Sequence, residues 1–203
     1  MREPSPHSLA FQQQFSLLEE IGTVLVTAAM NYGRKREWDI DDIVPGSLGG
    51  QSQALIVVGA ADFDNTVSDY TSRSRRGGIV SLYGFGGYSW CAANTADDDY
   101  MSDTGTSSAA AQVAGLAAEK LKDIPAGTAV ADIPGLVKHQ LQQDGMRFRD
   151  IVDAPLPDQE IAPLASTGVG IPCDETNNPP NPLFPLAPTG ANLFATIPLL
   201  API

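Results

Sequence analysis

Apolar residues fall into short segments of two kinds, and their spacing tells the two apart. Phe11, Phe15, Leu18 and Ile21 recur at helical intervals, which predicts an amphipathic helix ended by Gly22. Directly after it, Val24-Leu25-Val26-Thr27-Ala28-Ala29 is a continuous apolar run rather than an alternating one. Such a run suits a strand buried on both faces. Ala54-Leu55-Ile56-Val57-Val58-Gly59-Ala60 has the β-branched density of a second strand, and Ile79-Val80-Ser81-Leu82-Tyr83 predicts a third before the glycine-rich Gly84-Phe85-Gly86-Gly87. From Ser107 to about Lys122 the helical period returns, with Ala110, Val113, Ala114, Ala117 and Leu121 as a stripe of mostly small residues that can approach a sheet closely. Leu136 to Leu141 predicts one more helix.

Buried strands joined by long connections predict an α/β fold: a three-layer arrangement with a parallel sheet between helices on both faces. In such sheets, sites lie beyond the carboxyl ends of the strands. Asn31-Tyr32-Gly33 follows the first strand, and a glycine turn precedes the second helix. Of the chain's 16 prolines, 11 fall in residues 151–203, a density incompatible with central strands or long helices. The expected organisation is an irregular leader over residues 1–10, the α/β unit over 11–150 and a proline-rich extension over 151–203.

Composition narrows the partners. At 203 residues and 43% hydrophobic, the chain can bury one sizeable core. A net charge of −12 disfavours nucleic acid and anionic membranes as partners. The clusters Arg34-Lys35-Arg36 and Arg73 to Arg76 read as solvated loop tips. No apolar run is long enough to span a bilayer, and Met1-Arg2-Glu3-Pro4-Ser5-Pro6-His7 lacks the apolar core of a secretory signal. Cys91 and Cys173 are too few for a zinc site; one disulfide and two free thiols remain equally open.

The candidate chemistry sits in Thr104-Gly105-Thr106-Ser107-Ser108-Ala109-Ala110-Ala111-Gln112-Val113-Ala114-Gly115. This stretch delivers a serine onto the first turn of a helix, where oriented N–H groups and partial positive charge can stabilise an oxyanion. Ser107 reads either as a nucleophile or as an N-cap.

The ordered segments together resemble the carboxyl-terminal half of a subtilisin-like serine peptidase (subtilase) domain. Gly105-Thr106-Ser107, Ala109 and Val113-Ala114-Gly115 match the family's nucleophile segment in register, and Val24 to Gly33 resembles the strand that presents the oxyanion asparagine. Between them, Ile56-Val57-Val58-Gly59-Ala60, Ser68-Asp69-Tyr70-Thr71 and Leu82-Tyr83-Gly84-Phe85-Gly86 are similar to three further family segments in the family's order.

The resemblance implies peptide-bond hydrolysis through an acyl-enzyme on Ser107, with the Asn31 side-chain amide in the oxyanion hole. It also implies that Ala28, Ala29 and Met30 line the substrate and that the partner is a polypeptide. Met30 stands where a glycine usually lines the specificity pocket, and Ala111 where a proline enters the helix. The family's Asp-(Thr/Ser)-Gly and His-Gly-Thr-His segments, and its Ser-x-Gly substrate strand, are not in this sequence. Asp103-Thr104-Gly105 spells the first but overlaps the nucleophile turn, and the two histidines, His7 and His139, lie in solvated contexts. The chain therefore reads either as part of a peptidase whose amino-terminal half would be its partner, or as a pseudopeptidase that binds a peptide or protein. In either form it is expected to be inactive in isolation. Calcium and secretion follow from the family alone; Asp97 to Asp103 could offer oxygen ligands but shows no defined ligand spacing. A nucleotide loop at Val57 to Asp62 is disfavoured, because no Gly-x-Gly-x-x-Gly follows any strand.

Overall fold

The computed structural model describes residues 6–33, 38–62, 66–74 and 78–145. The three apolar runs become parallel strands β1 (Leu25–Ala28), β2 (Leu55–Ala61) and β3 (Leu82–Phe85), adjacent in that order. Leu25 lies opposite Leu55, and Val58 opposite Leu82. All seven residues of β2 are buried, as a central strand covered on both faces requires. The third strand starts later than its sequence suggests. Ile79 is instead part of the core on one sheet face, and Ser81 binds Val57 through both its N–H and its hydroxyl before the ladder to β2 begins.

Three helices surround the sheet: α1 (Pro6–Glu20), α2 (Thr106–Lys120) and α3 (Ile133–Asp144). On one face, Ile56, Val58, Ala60, Leu82 and Phe85 pack against Ala109, Val113 and Ala117 of α2 and Val137 and Leu141 of α3. On the other, Leu55, Val57 and Ile79 meet Ile40 and Leu48 from two short 3-10 turns, with Phe15 of α1 against them. The result is a layered α/β arrangement, a parallel sheet covered on both faces.

Two helices differ from their sequence reading. The buried ridge of α2 is Thr106, Ala109, Val113 and Ala117, whereas Ala114 and Leu121 face solvent. A run of alanines offers no hydrophobic contrast, so packing against the sheet sets the helix phase. A Cβ on Gly84 would stand 2.8 Å from the Ala109 carbonyl oxygen, which shows how directly α2 rests on β3. Helix α1 begins at Pro6, inside the stretch expected to be an irregular leader. The predicted proline-rich extension lies outside the described residues.

A second, two-stranded sheet was not anticipated: β4 (Ser89–Ala92) pairs antiparallel with β5 (Tyr100–Asp103) between β3 and α2. Lys138 also departs from a surface position on α3. Its ammonium turns inward and donates to the carbonyls of Gly49 (3.3 Å), Ser52 (3.0 Å) and Leu55 (2.9 Å), clamping α3 to the start of β2. Among the described residues, no helix is long and apolar enough to cross a membrane.

Candidate active site

The carboxyl ends of β1 and β3 converge on the amino-terminal end of α2. After β1, Ala29 donates its N–H to Val58 (2.8 Å), and the chain then reverses through Met30, which adopts φ +70°. The reversal is held from outside. Ser72 N–H donates to the Met30 carbonyl (2.9 Å), Tyr32 N–H to the Ser72 hydroxyl (3.1 Å) and Gly33 N–H to the Tyr70 carbonyl (2.9 Å). The same segment is anchored on β2 by the Thr71 hydroxyl, which bonds both Ala60 N–H (3.0 Å) and Ala60 carbonyl (3.1 Å). Tyr70 reaches β3's end, its phenol donating to Gly86 (2.8 Å). Residues 68–72 therefore tie together the ends of all three strands.

At the other side of the junction, Gly105 N–H donates to the Gly86 carbonyl (2.8 Å), which brings α2's first turn to the end of β3. Gly105 is the N-cap of α2 at φ +155°, so Ser107 lies one residue inside the helix and is not its cap. The capping alternative for this serine is thereby overturned. Ser107 is exposed, and its N–H belongs to the first-turn donors that have no acceptor within the helix.

Asn31 meets this turn across 75 residues of sequence. Its Oδ1 accepts from Thr106 N–H (3.0 Å) and from the Thr106 hydroxyl (3.0 Å). Because a backbone N–H can only donate, the atom facing it must be the carboxamide oxygen, and this fixes the orientation of the amide. The NH2 end is left as a donor beside Gly105: a Cβ there would stand 3.0 Å from Nδ2. A carboxamide held by its oxygen with its nitrogen free is the arrangement that an amide donor to an oxyanion needs. The helix terminus adds partial positive charge at the same point.

The sequence-derived residues are not equally placed. Asn31 and Ser107 are brought to one turn. Ala28 is half-buried at the end of β1, and Met30 is half-buried at the reversal. Ala29 is fully buried in the core, so its methyl cannot line a cleft and only its backbone remains for contact. Thr106, fully buried, is the residue sequence reasoning passed over. The signal was present, since the residue before a first-turn serine sits at the helix's own entry and faces the strand ends.

Partners for the serine are less complete. Asp103 accepts from Thr104 N–H (2.9 Å) and from the Ser108 hydroxyl (3.0 Å), so it serves the neighbouring serine rather than Ser107. His139 is exposed on α3, and the side chain of His7 lies outside the described residues. Cys91 is a half-buried free thiol, while Cys173 also falls outside them. Among the described residues, no group of three or more His, Cys, Asp or Glu side chains is arranged to hold a metal ion.

Comparison with known proteins accords with this geometry. A solved structure described as a cold adapted subtilisin-like serine proteinase superposes with a TM-score of 0.55 at 20% identity, over 74% of this chain and 48% of the other. The chain thus spans about half the length of that protein, and at this identity the match speaks to fold. No curated protein matches. The model of the subtilase family of peptidases matches residues 2–154, most of the sequence and every described element, and the chain belongs to that family.

Proposed function

We propose that this chain carries the acyl-transfer half of a serine endopeptidase site. The observation that carries the reading is the pair of hydrogen bonds from Thr106 to Asn31 Oδ1, which joins the end of β1 to the entry of α2 beside Ser107. In the proposed reaction, Ser107 Oγ attacks a peptide carbonyl, and the resulting oxyanion is held by Asn31 Nδ2 and Ser107 N–H. Collapse expels the amine and leaves an acyl-enzyme that water hydrolyses. Substrate is a polypeptide, and Met30 narrows the specificity pocket where the family usually has glycine.

A hydroxyl needs a base to lose its proton during attack. No histidine of the described residues is bonded to Ser107, so the base must come from elsewhere. β1 supports a place for it: among the described residues its only strand partner is β2, and its other edge is open to strands bearing the Asp and His segments. The isolated chain is therefore inactive in this proposal.

Reactivity toward a fluorophosphonate probe, measured with and without added imidazole as a diffusible base, tests the assignment. Labelling is expected to be slow alone, faster with imidazole, lost in Ser107→Ala and weakened in Asn31→Leu. Rapid labelling without any base would contradict the half-site reading, and labelling that persists in Ser107→Ala would remove Ser107 from it. That no histidine of the described residues is bonded to Ser107 also favours a second reading, a non-catalytic peptide-binding member of the family. Binding of a peptide aldehyde equally well to wild type and Ser107→Ala would support it.

A further inference from the structure

The β4–β5 hairpin leads directly into the Thr104–Ser107 turn, yet nothing in the proposed chemistry uses its outer face. Opposed residues of an antiparallel pair share a face. The pairs Trp90 with Ser102 and Ala92 with Tyr100 therefore place Trp90 and Tyr100 diagonally on the same side. Both rings reach the surface: Trp90 is 72% and Tyr100 49% exposed, and Ala92 and Ser102 are exposed with them. The opposite side carries Ser89, which is buried, and Cys91, which is half-buried, paired with the exposed Asp103 and Met101. Tyr88, at the entry to β4, is 71% exposed at φ +51°, a backbone region that a bulky residue occupies only at an energetic cost. Its N–H is fixed by the Thr104 hydroxyl (3.1 Å), so the strained residue is tied to the turn that precedes Ser107.

The hairpin's own charge has one sign. Residues 88–104 contain Asp97, Asp98, Asp99 and Asp103, all exposed, and no lysine, arginine or histidine. Rings with negative faces beside carboxylates attract cations twice, through the quadrupole and through net charge. They repel anionic segments.

We propose that this face docks an arginine-bearing polypeptide segment, with guanidinium groups stacked on Trp90 and Tyr100 and paired to the Asp97–Asp99 loop. Arginine suits the site better than lysine, because its planar cation stacks on a ring while its N–H groups remain free for carboxylates. Docking does not require Ser107 to react, so it stands whether or not the acyl-transfer reading does.

The test is fluorescence anisotropy of labelled short peptides of alternating arginine and glycine, with lysine and glutamate counterparts, added to the full chain at low and high salt. Saturable binding is expected in the order arginine, lysine, glutamate. Trp90→Leu keeps apolar bulk without the indole and should weaken the arginine peptide about 2- to 5-fold, and adding Tyr100→Ala should bring the loss to about 5- to 25-fold. Asp97→Asn with Asp98→Asn should weaken binding and flatten its salt dependence. Unchanged far-UV circular dichroism shows that these exposed substitutions leave the fold alone. The proposal is overturned by the absence of saturable binding, by equal affinity for arginine and glutamate peptides, or by arginine binding that ignores both rings. Self-association that disappears with Trp90→Leu, without peptide binding, would instead assign the face to a second copy and also overturn it.

Discussion

Replacing Gly105 with alanine probes the junction on which the candidate site depends. The N-cap holds φ +155° and ψ 168°, a region open essentially to glycine alone. An L residue there costs about 1–3 kcal/mol. The new methyl would also stand 3.0 Å from Asn31 Nδ2, tighter than an ordinary contact, and the nearest relief is movement of the carboxamide. That movement strips the Thr106 N–H and hydroxyl of their shared acceptor, and Thr106 is fully buried. A buried donor left without a partner costs about 1–3 kcal/mol, so the combined loss is about 2–6 kcal/mol.

Gly115 supplies the control. It lies in the middle of the same helix, and a Cβ added there would meet nothing within 4 Å. Gly115→Ala should stabilise by about 0.5–1 kcal/mol, because alanine is the better helix former. Urea unfolding followed by tryptophan fluorescence gives both values on one scale. Two identical chemical changes should move stability in opposite directions, and Gly105→Ala should also abolish imidazole-dependent labelling of Ser107. A Gly105→Ala chain as stable as wild type would refute the strain and contact argument together.

Two further outcomes are expected. Met30→Gly relieves the φ +70° conformation, which should offset the lost side-chain burial and leave stability unchanged or raised by about 1 kcal/mol; a clear drop in the urea midpoint would show that the side chain matters more than the strain. Lys138→Met removes three donors to backbone carbonyls and should cost about 2–4 kcal/mol at neutral pH. Burial pushes the Lys138 ammonium below the usual lysine range, against the opposing pull of Glu19. The unfolded chain therefore holds that proton more tightly than the folded one, so this residue's contribution to stability rises as pH climbs through the lowered value toward about 10.5. Burial moves the Tyr83 phenol the other way, so its contribution falls above about pH 10. The gap between wild type and Lys138→Met should thus widen with alkalinity, and a gap that narrows would contradict the direction given for Lys138.

Strands β1 and β2 and the start of α2 were legible in the chain, because continuous apolar runs and a glycine before a helical period are local signals. The β4–β5 hairpin was not. Ser89-Trp90-Cys91-Ala92 and Tyr100-Met101-Ser102-Asp103 are mostly exposed, so no burial contrast marks them, and the acidic loop between them reads as a solvated turn. Lys138 escaped for the converse reason: a lysine reads as surface until three carbonyls are folded into its reach.

By itself, then, the sequence determined the strand-forming segments, the turn that carries Ser107 and the family pattern they spell, since each depends on neighbours a few residues apart. Only the tertiary structure decided which face of α2 is buried, that Gly105 and not Ser107 caps it, and that Asn31 turns its oxygen to Thr106. Those outcomes depend on surfaces meeting across 75 residues of chain. Close packing and the need to satisfy buried donors choose among arrangements that local periodicity leaves equivalent.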